Sequence, residues 1–177
     1  MILLDPGHGG SNTGVVRGEL VEKDYALDVC LDLGAALYLK GTTSGMTRTR
    51  DDFMSLSARA AVAPNTSLIV SVHVNSWWRK SARGADVFHW PGSTKGKRAA
   101  EIIALALPEP IRTDRIRPAS RLWYPRVRNV LRRHKAPAVL VELGFASNPE
   151  DREYLLSDQG RREIVAGLCA GIVAAAI

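Results

Sequence analysis

Three short apolar runs, "MILLD", "SLIVSVHV" and "APAVLVELGF", constrain this chain more than any other feature. Each is too brief for a membrane span and too apolar for a surface, so each reads as a buried strand. Between them lie stretches with helical periodicity. Strands regularly separated by helices predict an α/β fold with a largely parallel central sheet. The 177 residues suit a single domain, one that buries roughly 70% of its unfolded surface.

The intervening segments have recognisable boundaries. A helix is expected over 21–39, with Leu27, Leu31, Ala35 and Leu39 on its apolar face. "GMTRTR" reads as a strand, and Ser55 can cap a short helix running to Ala63. After "SLIVSVHV" comes the polar loop "NSWWRKSARG" and a further strand, "ADVFHW". A helix over 93–106 ends before Pro108 and Pro110, which remove backbone donors. Another strand is expected over 127–131, "NPED" opens a helical turn, and Ser157 or Asp158 caps the last helix. Cys30 and Cys169 sit within helical apolar patterns and read as buried thiols, since two such cysteines make no disulfide framework.

The net charge of +6 points to an anionic partner, and eight arginines fall between residues 112 and 133. Nucleic acid, phospholipid and anionic wall polymers all carry that charge. No recognition helix or RNP-type motif supports specific nucleic-acid readout. The chain opens directly on a strand without the basic and apolar regions of a signal peptide. The expectation is therefore a protein held in the cytoplasm until released, or an excised domain of an exported one.

Chemistry concentrates where the apolar runs stop. "MILLDPGH" arrives at His8, "SLIVSVH" at His73 and "APAVLVE" at Glu142. In parallel strands those endings share the carboxyl edge of the sheet, where open α/β folds bind ligands. Glu22 in "ELVEKD" falls near the first turn of the next helix, with Glu19 a competing carboxylate. Two imidazoles and a carboxylate suit Zn2+, which binds such atoms at about 2.0–2.2 Å and keeps a fourth position for water in catalytic sites. Asp5 and Asn75 are expected to orient a ligating histidine or a loop amide, or to touch substrate. His89 and His134 are expected at the surface or supporting the site. Trp77 and Trp78 either flank a substrate groove or plug the sheet edge.

The blocks "LDPGHGG", "VEKD", "SVHVNS" and "PAVLVELGFASNPED" together resemble the motifs of the zinc-dependent N-acetylmuramoyl-L-alanine amidases of the Amidase_3 type. The spacings also fit: 22 − 8 = 14, 73 − 22 = 51 and 142 − 73 = 69. The resemblance implies a twisted, mostly parallel six-stranded sheet flanked by helices. It also implies hydrolysis of the amide between the lactyl group of N-acetylmuramic acid and L-alanine of the peptidoglycan stem peptide. His8, Glu22 and His73 match the family's zinc ligands and Glu142 its catalytic acid/base. Some relatives insert a helix that covers the metal, and the short span between His73 and Glu142 predicts an open site. A compact core of this kind leans towards a phage or prophage endolysin, with the basic surface adhering weakly to anionic wall polymer or lipid. Two alternatives stay open: a zinc peptidase cutting within the stem peptide, and a wall-binding module without activity.

Overall fold

The computed structural model describes residues 1–62, 65–119, 131–132 and 136–176. In chain order the strands are β1 (Ile2–Pro6), β2 (Val16–Arg17), β3 (Leu20–Val21), β4 (Ser44–Met46), β5 (Leu68–Asn75), β6 (Asp86–His89), β7 (Ile116–Pro118) and β8 (Ala138–Phe145). The helices are α1 (Glu22–Leu39), α2 (Leu56–Ala61), α3 (Thr94–Ala106), α4 (Pro149–Leu156) and α5 (Asp158–Ala175). Six strands form one sheet in the order β4-β1-β5-β8-β6-β7, and β2 pairs with β3 in a small hairpin. The three apolar runs are the adjacent strands β1, β5 and β8, parallel to one another and to β4.

The sheet is mixed, because β6 runs antiparallel to β8 and β7 follows β6. Loop length accounts for this. Only ten residues (85 − 76 + 1) separate β5 from β6, whereas a parallel crossover needs a dozen or more. The sixth strand lies at Ile116–Pro118, ahead of the expected 127–131. Most of that expected span falls outside the described residues, and Leu131 is helical.

The two faces of the sheet carry different layers. One holds the larger core, where Ile2, Leu4, Val70, Val72, Val139 and Val141 pack against apolar residues of α1, α3, α4 and α5. The other holds a smaller cluster of Leu3, Ile69, Phe88 and Leu140, with Ala119 and Leu131. Because side chains alternate along a strand, Asp5, Ser71, His73 and Glu142 continue this second face towards the carboxyl ends of their strands.

Helix α1 corrects the expected face. Its buried residues are Glu22, Tyr25, Ala26, Val29, Cys30, Leu33 and Leu37, while Leu31 is 41% and Leu39 82% exposed. The buried stripe lies on another face, through positions 22, 25, 26, 29, 30, 33 and 37, and includes Glu22, which the helix thereby turns inward. Both cysteines are buried free thiols, and Ser55, Ser93, Asn148 and Ser157 each accept a capping bond from a backbone N–H. Among the described residues no helix is long and apolar enough to cross a membrane. Leu33→Ala is expected to cost about 2–5 kcal/mol of stability, and Leu39→Ala no more than about 0.5 kcal/mol. Chemical denaturation of the two variants checks the assignment of the face.

Candidate metal centre

His8 sits one residue beyond the contact of Gly7 N–H with Val72 O and adopts φ 59°, the sole non-glycine with positive φ among the described residues. An L-residue in that region costs free energy that its surroundings must supply. Buried cations provide it. Arg59 of α2 donates to Pro6 O at 2.6 Å and to His8 O, and Arg48 donates to Gly7 O at 2.8 Å. Lys23 reaches Gly10 O at 3.1 Å. Beneath them Asp5 accepts from Arg59, Thr47 and Ser71, each at 2.7 Å. Burial alone pushes the Asp5 carboxyl up. The Arg59 guanidinium and the Ser71 and Thr47 hydroxyls outweigh it and bring the group below the usual carboxylate range.

Three potential ligand atoms converge above this floor. His8, Glu22 and His73 present theirs within 4.8 Å of one another. Glu22 Oε1 lies 3.0 Å from His8 Nε2 and 2.9 Å from His73 Nδ1. Burial works to raise the Glu22 carboxyl, and the hydrogen bonds and charge of His73 and His8 overcome it, so it stays ionised far into acid. Backbone groups hold the carboxylate in place: Val74 N–H donates to Oε1 at 3.1 Å and Val15 N–H to Oε2 at 2.8 Å. Asn12 Oδ1 lies 3.0 Å from His8 Nδ1, which favours a proton there and leaves the Nε2 lone pair towards the cluster.

The donor set fits zinc. The two nitrogen–oxygen separations, 3.0 and 2.9 Å, are slightly inside the roughly 3.4 Å edge of a tetrahedron with bonds of about 2.0–2.2 Å. Glycines make room for the cluster. A Cβ on Gly14 would stand 2.7 Å from His8 Cδ2, and one on Gly7 would stand 2.5 Å from His73 Cε1.

Glu142 faces the cluster from the next strand. β5 and β8 pair His73 with Glu142, and β8 and β6 pair Glu142 with Asp86. Glu142 is buried, and its Oε2 has no hydrogen-bond partner among the described residues. Burial, then the charges of Glu22 and Asp86, push its carboxyl well above the ordinary range. A cleft of about 440 Å³ opens over these residues, with Val15, Leu56 and Leu140 forming an apolar part of its wall.

The sequence expectations meet mixed outcomes here. His8, Glu22, His73 and Glu142 are brought together, and Glu19 is excluded by its exposed place in the hairpin turn. Asp5 touches no histidine; it anchors Arg59, and through it the carbonyls of the loop. Asn75 likewise leaves the imidazoles alone, donating to Asp86 Oδ2 at 3.2 Å and accepting from Ser76 N–H. Both nonetheless line the cleft above the cluster. His89 is buried rather than superficial, and His134 lies outside the described residues. The expectation of an uncovered site falls in part on 120–130 and 133–135, also outside them. Arg112 pairs with Glu109, and Arg115 and Arg117 with Asp86, so part of the arginine-rich segment is engaged structurally.

Sequence reading missed Asn12, Arg48, Arg59 and Asp86. Asn12 carried a local signal, four residues after His8 in the same glycine loop. The others act across 41 to 56 residues of chain (48 − 7, 142 − 86), and nothing local marks them.

Asp5→Asn leaves Arg59 buried without its counter-charge and is expected to cost about 3–5 kcal/mol at neutral pH. The folded-state carboxyl titrates below 3.8, so its contribution is present above about pH 4 and lost as pH falls. The stability gap between wild type and variant should therefore be full at neutral pH and narrow below pH 4, as read by denaturation across pH.

Comparison with known proteins places the fold and the sequence together in one family. The model of the N-acetylmuramoyl-L-alanine amidase family matches residues 2–174. A probable cell wall amidase, LytH of Staphylococcus aureus, is 35% identical over 167 residues, covering 93% of this chain and 54% of the relative. The chain thus spans about half the length of the staphylococcal relatives that it matches. The solved N-acetylmuramoyl-L-alanine amidase AmiC2 of Nostoc punctiforme superposes with a TM-score of 0.86 at 30% identity, covering 98% of this chain and 94% of that one. The catalytic domain of CwlV, an N-acetylmuramoyl-L-alanine amidase from Bacillus (Paenibacillus) polymyxa var. colistinus, gives 0.85 at 25%, covering 98% and 96%. A family match over nearly the whole chain, together with a shared fold, means that this protein belongs to the N-acetylmuramoyl-L-alanine amidase family.

Proposed function

We propose that the chain is a zinc-dependent hydrolase of peptidoglycan that cleaves the amide between the lactyl group of N-acetylmuramic acid and the L-alanine opening the stem peptide. One observation carries this reading: two imidazoles and a carboxylate converge within 4.8 Å beside a buried carboxyl oxygen that has no partner among the described residues. The names of the relatives, a cell wall amidase and N-acetylmuramoyl-L-alanine amidases, support the substrate class.

An amide is a poor electrophile with a poor leaving group, so three things must be supplied: carbonyl polarisation, a nucleophile at neutral pH and a proton for the departing nitrogen. Zinc held by His8, Glu22 and His73 supplies the first two when bound. The chain's own groups prepare for it. Asn12 fixes the His8 tautomer, and the Val15 and Val74 amides hold Glu22 with Oε1 towards the imidazoles.

Glu142 performs the proton transfer. In this role its carboxylate takes a proton from the attacking water, and the resulting acid gives it to the alanine nitrogen as the C–N bond breaks. Burial beside Glu22 and Asp86 favours the protonated form, and a cation in the cluster favours the ionised one. The two influences oppose each other, which suits a group that must pass through both states in one turnover.

His73→Ala is expected to lose stoichiometric zinc, measured by metal analysis. Glu142→Gln should keep metal and fold but lose about 10²–10⁴ in kcat; retained turnover would remove Glu142 from this role. Mass spectrometry of purified peptidoglycan digested by the zinc-loaded protein, beside a chelated control, tests the reaction itself. Intact stem peptides with a free L-alanine amine are expected only with metal present. Cuts inside the peptide would reassign the chain as a peptidase, and absence of product would overturn the enzymatic reading.

A further inference from the structure

A second pocket of about 370 Å³ is lined by Arg17, Trp77, Trp78, Lys80, Ser147 and Arg152. Its walls extend the elements that carry the metal cluster. Trp77 follows His73 by four residues, Ser147 follows Glu142 by five, and Arg17 precedes Glu22 by five. Chain reach limits each separation to about 18 Å. The pocket is therefore close enough for a polymer chain to occupy it and the metal cleft together.

Its walls are tied down. Trp77 N–H donates to Ser147 Oγ at 3.0 Å, Asn148 Nδ2 to Lys80 O at 2.8 Å, and Arg152 Nη1 to Ala146 O at 2.8 Å. On this frame Trp78 is 73% and Trp77 41% exposed, and the Arg79 guanidinium stacks 4.4 Å from the Trp78 ring centroid. The alternative of a plug closing the sheet edge does not fit such exposure. Two neighbouring indoles left in water are a large apolar area awaiting a partner.

The polar groups narrow the ligand. Arg17, Lys80 and Arg152 are donors without acceptor capacity, and among the described residues no carboxylate lines the pocket. The matching ligand has flat apolar C–H faces for the indoles and many acceptor oxygens for the cations. A pyranose bearing N-acetyl groups has both. A stem peptide offers oxygens but no comparable flat face.

We propose that this pocket is a saccharide subsite that grips the glycan strand of peptidoglycan, with Trp77 and Trp78 against the sugar rings and Arg17, Lys80 and Arg152 donating to hydroxyl and N-acetyl oxygens. The assignment rests on the peptidoglycan reading above. It adds that the sugar side of the scissile amide is held by the loops following β5 and β8 and by the β2–β3 hairpin.

Glycan strands already stripped of their stem peptides are not substrates, so the zinc-loaded wild-type chain can be titrated with them calorimetrically. Binding is expected, with Trp77→Ala and Trp78→Ala each weakening it by about tenfold, which corresponds to 1.4 kcal/mol. Both variants should keep wild-type zinc content and melting temperature. No binding, or equal binding by both variants, overturns the proposal. Displacement by free stem peptide also overturns it and reassigns the pocket to the peptide. Glycan binding without cleavage of intact peptidoglycan would count against the hydrolase alone, and cleavage without glycan binding against the subsite alone.

Discussion

The site depends on guanidinium groups donating to consecutive backbone carbonyls. Pro6, Gly7 and His8 turn their oxygens towards Arg48 and Arg59, and this holds His8 in a left-handed conformation that an imidazole-bearing residue does not choose by itself. Asp5 makes the arrangement tolerable, because a buried guanidinium needs a counter-charge. The ion pair thus acts two steps from the chemistry: Asp5 fixes Arg59, Arg59 fixes the loop, and the loop presents His8.

Around that loop the sheet works as a ruler. Strand register sets His73, Glu142 and Asp86 in one row across β5, β8 and β6. Alternation then keeps the ionisable side chains on the thinner face, away from the core under α1, α3 and α5. Reversal of β6 has a chemical consequence. It brings the first residue of that strand, Asp86, beside Glu142, where its negative charge helps to keep a proton on the carboxyl.

Much of this was legible in the residues. Apolar runs of strand length, each ending in an imidazole or a carboxylate, announced both the parallel centre and three members of the cluster. Glu22 was legible from its place at the start of a helix. Other features were hidden for definable reasons. The buried face of α1 could not be chosen because Leu27, Leu31 and Leu39 are as apolar as Val29, Leu33 and Leu37, and only packing against the sheet tells them apart. Asp5 was expected to orient a histidine or a loop amide, and its pairing with Arg59 was hidden because it spans 54 residues.

What the sequence determined by itself is the inventory and the layout: an α/β domain, with His8, Glu22, His73 and Glu142 as candidate site residues gathered at one edge of its sheet. These follow from local properties, namely hydrophobic period, run length and the residues at which runs stop. Tertiary structure alone decided the direction of β6, the cations that restrain the His8 loop, the tautomer favoured by Asn12 and the exposure of the two tryptophans. Each of those depends on distances between atoms in segments that meet only after folding, and one-dimensional patterning carries no record of such distances.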